Sequence, residues 1–305
     1  MRNTTRFILF VAIACFGTTA PAWAKKKCEG NDNALGVSRV VQIDTTGGPG
    51  FGFQHYKAYD FLRDGEVVIT FDDGPLPGPT GDILKALAKH CAKATFFPVG
   101  KLAVGYPQVL KRVYDEGHTV GSHTWSHADI GKKDTAGLRE EIEKGVSAAR
   151  LAIGKPVAPF FRHPYLKDSE KTIAYLAERN VAVFSTDLDS FDFKRGSAKR
   201  LIARVMGNLK KKRKGIILFH DINKTTAKAM PQFLNALKAG GYKIVHLKAK
   251  TGMETIAKFD EEVGKSFKGR ISTGKRPINS VVSTIEEDGQ VTAKQAPAAT
   301  SAEVE

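Results

Sequence analysis

Short apolar, β-branched runs recur along the middle of this chain, and a helix-compatible segment follows most of them. Few folds accept that pattern. It predicts repeated strand-helix units whose strands lie parallel in one sheet. Strands are expected at 67–71, 94–99, 119–122, 159–161, 181–185, 216–219 and 243–245, with helices near 80–93, 106–116, 135–153, 168–179, 198–209 and 226–239. Seven such strands suit a closed or nearly closed α/β barrel over 66–249, and an open doubly wound sheet also fits.

Polar chemistry is concentrated where those strands run out. TFDDGP occupies 70–75, HTWSH 123–127, RHPY 162–165, DSFDF 189–193 and LFHD 218–221. In either arrangement ligands collect at the carboxyl ends of the strands, because the loops there share one rim. Solvated polar residues have no reason to choose that edge repeatedly. His123 and His127 are four residues apart, so a helical turn at 122–128 would put both imidazoles on one face, about 5–6 Å apart at Cβ. Two imidazoles and one carboxylate hold a divalent transition metal and leave positions open for water and substrate. The carboxylate is expected from Asp72-Asp73, since two acids at a strand end repel each other and resist burial without a cation. Arg162, leaving an apolar strand for a rigid Pro turn, suits the paired hydrogen bonds that fix a carboxylate. Each signal alone has a plainer origin: a decorated Gly-Pro turn, a structural ion pair, or a satisfied core histidine at His220. Together they describe a metal-assisted hydrolytic site.

In this order, the five clusters resemble the polysaccharide deacetylases of carbohydrate esterase family four, the nodulation-protein-B-like homology domain, over roughly 66–245. The resemblance implies a distorted (β/α) barrel of about seven parallel strands. It also implies a metal-dependent hydrolase that removes acetyl groups from N-acetylated sugars and releases acetate. Asp72 is implied as general base, and Asp73, His123 and His127 as metal ligands. Arg162 would orient Asp72, and the backbone amide of Tyr165 would donate to the developing oxyanion. His220 would act as general acid, tuned by Asp192, while Leu218 would line the pocket for the acetyl methyl group. Phe193 stands where the family usually has tryptophan, and Leu166 where it usually has glycine. Both departures bear on the shape of the substrate groove rather than on the reaction. Zinc is the expected ion, although iron, cobalt and manganese share the ligand preference. Alternatives are an O-acetyl polysaccharide esterase, a catalytically silent glycan-binding protein, and a non-haem iron oxygenase, for which no cosubstrate signal is present.

The flanks speak to location. Arg2, Arg6, the apolar stretch 7–16 and Ala22-Trp23-Ala24 are the parts of a signal peptide over 1–24, cleaved after Ala24. That stretch is short for a bilayer, so an exported product, periplasmic or secreted, with no membrane span is expected. Cys28 and Cys91 would then meet an oxidising compartment where a disulfide between them is permitted; two free thiols fit the count as well. Residues 25–65, with Gly-rich TTGGPGFGF at 45–53, suggest an irregular lead-in, and 250–305 a largely disordered extension ending in KQAPAATSAEVE. Lys and Arg number 47 against 32 Asp and Glu, a charge of +15, or +13 without the two signal arginines. Such a surface favours anionic company, whether an acidic envelope polymer or a membrane face. Nucleic acid is not expected, because Lys210-Lys211-Lys212-Arg213-Lys214 lacks interleaved aromatics and any nucleic-acid motif. The expected partner is an acetylated glycan, peptidoglycan or chitin-like.

Overall fold

Two short strands, β1 (Arg39–Ile43) and β2 (Gly50–Phe51), precede β3 (Glu66–Asp72), the strand around which the other elements are arranged. Then follow α1 (Pro79–Lys89), β4 (Thr95–Phe97), α2 (Gly100–Gly105), α3 (Pro107–Asp115), β5 (Thr119–Val120), α4 (Thr135–Ile153), β6 (Phe160–Phe161) and α5 (Glu170–Glu178). The remainder comprises β7 (Ala182–Phe184), β8 (Leu188–Asp189), α6 (Ala198–Lys212), β9 (Gly215–His220), α7 (Lys224–Ala239), β10 (Lys243–Ala249) and α8 (Ala257–Thr273). The computed structural model describes residues 28 and 30–273, together with 284–285 and 291–292. The expected signal peptide at 1–24, with its cleavage point, and the tail from 294 lie outside the described residues.

Strands β1 to β10 pair in parallel, as the strand-helix alternation predicts. β9 runs along β3 and sets His220 opposite Asp72. The last three residues of β3 pair with β4 and its first two with β10, while β5, β8 and β1 extend the sheet outward. β2, β7 and β6 form a second ladder, linked to the first by a single parallel bridge between Ser122 and Phe161. The result is a distorted α/β barrel whose ladders remain two sheets among the described residues, with no continuous closed cylinder.

All seven residues of β3 are buried, as a strand covered on both faces requires. The period of two then sorts its side chains. Val67, Ile69 and Phe71, with Ile217 and Phe219 of β9, pack outward in the large cluster that includes the helix side chains. Val68 and Ile216 pack inward with Phe97, Phe160, Phe184 and Val245. Continuing the alternation, Thr70, Asp72, Leu218 and His220 belong to the inner face. Helix starts are fixed locally: Asp134 caps α4 through Gly137 N–H at 2.8 Å, and Ser169 with Thr172 forms a reciprocal capping box on α5.

Several elements depart from the sequence expectation. The lead-in is not wholly irregular, since it supplies β1 on the outer edge of β10 and β2 beside β7. Strands of five and two residues carry too little periodicity to register. In α8, apolar contact falls to Val263 and Phe267, and Arg150–Asp260 and Lys144–Glu262 ion pairs tie it to α4. The cysteine count left pairing open, and the structure joins Cys28 to Cys91 across 63 residues. Closing a loop of that length restricts the unfolded chain by about 4 kcal/mol in the chain-entropy model. Replacing both cysteines with serine should lower the unfolding free energy by up to about that amount, read from urea denaturation with and without reductant.

Candidate active site

Along β6, Phe160 faces inward and Phe161 outward, so Arg162 turns inward again and is fully buried. Its Nη1 donates to Asp72 Oδ1 at 2.8 Å and to Thr70 Oγ1 at 2.7 Å. Nη2 donates to the Ser185 carbonyl at 2.8 Å and Nε to the Phe184 carbonyl at 3.2 Å, with the guanidinium 4.5 Å above the Phe97 ring. A buried ion pair is tolerable only when its remaining donors are satisfied. Here each guanidinium nitrogen finds at least one acceptor, and Asp72 is held at one orientation.

Asp73, His123 and His127 converge beside that pair. Their three ligand atoms lie within 4.8 Å of one another, with Asp73 Oδ1 3.5 Å from His123 Nε2 and 3.2 Å from His127 Nε2. Asp73 Oδ1 is buried and accepts no hydrogen bond. An orphaned carboxylate oxygen facing two imidazole nitrogens is the donor set of a divalent transition ion. His123 Nδ1 lies 2.6 Å from the Arg162 carbonyl, which requires the proton on Nδ1 and leaves Nε2 its lone pair. Burial holds His123 below its ordinary pKa despite Asp72 and Asp73, which favours that neutral form. The two histidines do not meet through a helical turn. Residues 121–129 form a loop in which Thr124 (φ 67°) and His127 (φ 60°) are left-handed, and the rings lie 5.0 Å apart.

On the other side, His220 closes β9 and Asp192 approaches from the loop after β8. Asp192 Oδ1 lies 2.6 Å from His220 Nδ1, and Oδ2 accepts from the His220 backbone N–H at 2.8 Å and from the Thr226 hydroxyl. Burial opposes charge on His220, but the hydrogen bond and charge of Asp192, with Asp72 and Asp73 beyond, push it up to about 9. Burial likewise opposes the Asp192 carboxylate, yet its bonds to His220 and Thr226 hold it below the usual range. The Asp192 carboxylate thus favours the imidazolium form of His220. Leu218, two residues back on the same inner face, is buried beneath it.

Backbone strain gathers on this rim. Asp73 (φ 77°), Tyr165 (φ 59°), Leu166 (φ 55°) and Phe191 (φ 50°) join the two left-handed residues of the histidine loop. Each left-handed non-glycine residue costs on the order of 1–2 kcal/mol. Such strain persists only where surrounding contacts over-determine it, commonly at working sites. Leu166, set where the resembling family carries glycine, has the backbone conformation that glycine adopts freely. The Tyr165 ring packs 4.7 Å from that of His127, and Tyr165 and Phe193 are the most exposed aromatic residues of the rim.

Asp72, Asp73, His123, His127, Arg162, Tyr165, Asp192, Leu218 and His220 thus all fall on one side of the sheet. Sequence reasoning passed over Thr70, the carbonyls of Phe184 and Ser185, and Asp221, which complete the setting. Thr70 and Asp221 belong to the motifs themselves, so a signal was present; backbone carbonyls leave none.

The polysaccharide deacetylase family model matches residues 62–184. A peptidoglycan-N-acetylglucosamine deacetylase of Bacillus cereus is 35% identical over 162 residues, covering 52% of this chain and 58% of that relative. A chitooligosaccharide deacetylase of Bradyrhizobium sp. is 31% identical over 155 residues, covering 51% and 70%. The chain spans little more than half the length of the first of these. Among solved structures, a Bdellovibrio bacteriovorus peptidoglycan deacetylase superposes with a TM-score of 0.65 at 34% identity, over 72% of this chain and 61% of that one.

Proposed function

Because this chain belongs to the polysaccharide deacetylase family, we propose that it is a metal-dependent hydrolase that removes acetyl groups from N-acetylated sugars of a peptidoglycan or chitin-like glycan. The observation that carries this reading is the partnerless Asp73 oxygen between His123 and His127, with Asp72 and His220 side by side next to it. Those three residues would hold the ion, and zinc is the proposed one. When bound, a divalent ion supplies Lewis acidity and can bring the pKa of a water from about 15.7 towards 7.

The remaining steps belong to the chain. Asp72, oriented by Arg162, takes the proton of the attacking water as the new C–O bond forms. The Tyr165 N–H donates to the carbonyl oxygen as it gains charge. His220 gives its proton to the departing nitrogen, the C–N bond breaks, and acetate and a free amino sugar remain. Leu218 would form the apolar floor for the methyl group. Export is part of the proposal: the Cys28–Cys91 disulfide fits an oxidising compartment, and no described helix is long and apolar enough to cross a membrane.

Metal-loaded protein incubated with N-acetylated glycan chains should liberate acetate. Tight glycan binding without acetate would instead favour a silent glycan-binding role. The pH profile offers a second test, because the acid form of His220 is the active one. Activity should persist upward in pH while His220 stays protonated and fall as pH passes its raised pKa. In Asp192→Asn the hydrogen-bonded negative charge is gone, so His220 loses its proton earlier. The basic limb of the kcat profile should then move down by one pH unit or more, since an adjacent opposite charge is worth about 1–3 units. A bound ion offsets the influence of Asp72 and Asp73, but both proteins share that offset and the difference reports Asp192. An unmoved limb would remove His220 from the acid role.

A further inference from the structure

We propose that Asp221 is a positioning residue that fixes the turn carrying Asp73, and through that turn sets the grip on the metal. The inference rests on the metal site proposed above. Asp221 follows His220 at the end of β9, is 2% exposed, and donates its own N–H to the Asp72 carbonyl at 3.2 Å. Its Oδ1 accepts the Gly74 N–H at 2.9 Å and its Oδ2 the Thr80 hydroxyl at 2.7 Å. The Thr80 oxygen in turn accepts the Leu76 N–H at 2.8 Å. One carboxylate thereby ties both ends of the segment 74–80 to the strand that carries His220.

The placement explains how a strained turn is kept. The β3–β9 ladder ends with the pair Asp72 and His220, and at the next residue Asp73 turns left-handed. Beyond that point the Asp221 side chain replaces the lost ladder bond by receiving the Gly74 N–H. The approach is so close that a Cβ on residue 74 would sit 2.1 Å from Asp221 Oδ2, so only glycine admits it. Burying a carboxylate this deeply is costly unless donors surround it. The groups it binds are backbone and hydroxyl, none of them metal donors. Asp221 acts on the ion only by fixing where Asp73 stands. Groups beyond the direct ligands, acting in this way, are typically worth about 10–100-fold in metal affinity or activity.

The test compares Asp221→Ala, Asp221→Asn and Thr80→Val with the parent chain by Zn²⁺ affinity, measured in competition with a chromophoric chelator. It adds kcat and KM on an N-acetylated chitooligosaccharide at saturating Zn²⁺, and the melting temperature of each protein. Asp221→Ala should bind Zn²⁺ about 10–100-fold more weakly and lose kcat with KM little changed. Asp221→Asn keeps an oxygen for Gly74 and should recover to within several-fold of the parent. A folded Asp221→Ala with parental Zn²⁺ affinity overturns the proposal. Should that variant not fold, parental affinity in Thr80→Val overturns it, and weakened affinity in Thr80→Val supports it. Zn²⁺ binding needs no glycan, which separates the two claims. A parent that binds Zn²⁺ but frees no acetate ends the deacetylase reading and leaves this one standing; a parent that binds no Zn²⁺ ends both.

Discussion

Asp73→Ala should release acetate about 10³–10⁴-fold more slowly than the parent and should no longer retain a divalent ion through gel filtration. Asp73 is the one anionic donor of the proposed set; without it, two imidazoles remain. The Lewis-acid contribution of a bound ion amounts to several kcal/mol of transition-state stabilisation, and each 1.36 kcal/mol is a factor of ten in rate. Because Asp73 is left-handed, alanine adds backbone strain to the loss of charge. Asp73→Asn separates the two, since asparagine tolerates that conformation and differs mainly in charge. Both variants should lose activity to a similar degree, and Asp73→Asn should melt close to the parent because Asp73 Oδ1 has no hydrogen bond to lose. Chelation of the parent should reproduce the loss, with recovery on adding Zn²⁺. Activity retained in Asp73→Asn, or unaffected by exhaustive chelation, would remove the metal from the reaction.

The same residues show what a sequence discloses and what it withholds. The apolar continuity of β3 was visible because a strand covered on both faces needs apolar side chains in succession. Polar residues that interrupt such a run at its end, as Asp72 and His220 do, signal a rim, and the period of two then fixes which face they share. The route by which His123 meets His127 was hidden. A spacing of four is shared by a helical turn and by a loop with left-handed residues at Thr124 and His127, and only tertiary contacts choose between them. β2 and β8, at two residues each, exist because neighbouring strands offer hydrogen bonds, a cause that lies outside their own sequence. The Cys28–Cys91 pairing and the Asp221–Gly74 contact likewise join residues 63 and 147 positions apart. For Asp221 the chemistry was legible and the partner was not; for the cysteines the two thiols were legible and only the bond was open.

His220→Ala should separate amide from ester substrates. On an N-acetyl glycan the leaving nitrogen departs badly unless protonated, and a positioned general acid contributes about 10²–10⁴-fold. On an O-acetyl ester the leaving oxygen bears charge more readily, so the same deletion should cost on the order of ten-fold. The comparison is clean because Asp192 stays anchored in the variant. Its Oδ2 still accepts the backbone N–H of residue 220 and the Thr226 hydroxyl, so the loop that carries it need not move. The measured quantity is the ratio of kcat/KM values on matched N-acetyl and O-acetyl sugars, parent against variant. Unequal losses in the stated direction assign His220 the proton that reaches the amine. Equal large losses would instead make the imidazolium a charge stabiliser for the transition state common to both reactions, and Asp192 would be holding it charged for that purpose alone. A negligible loss on the amide would place the proton donor elsewhere, and Asp72, neighbour of His220 across the β3–β9 ladder, would have to return the proton it took from water.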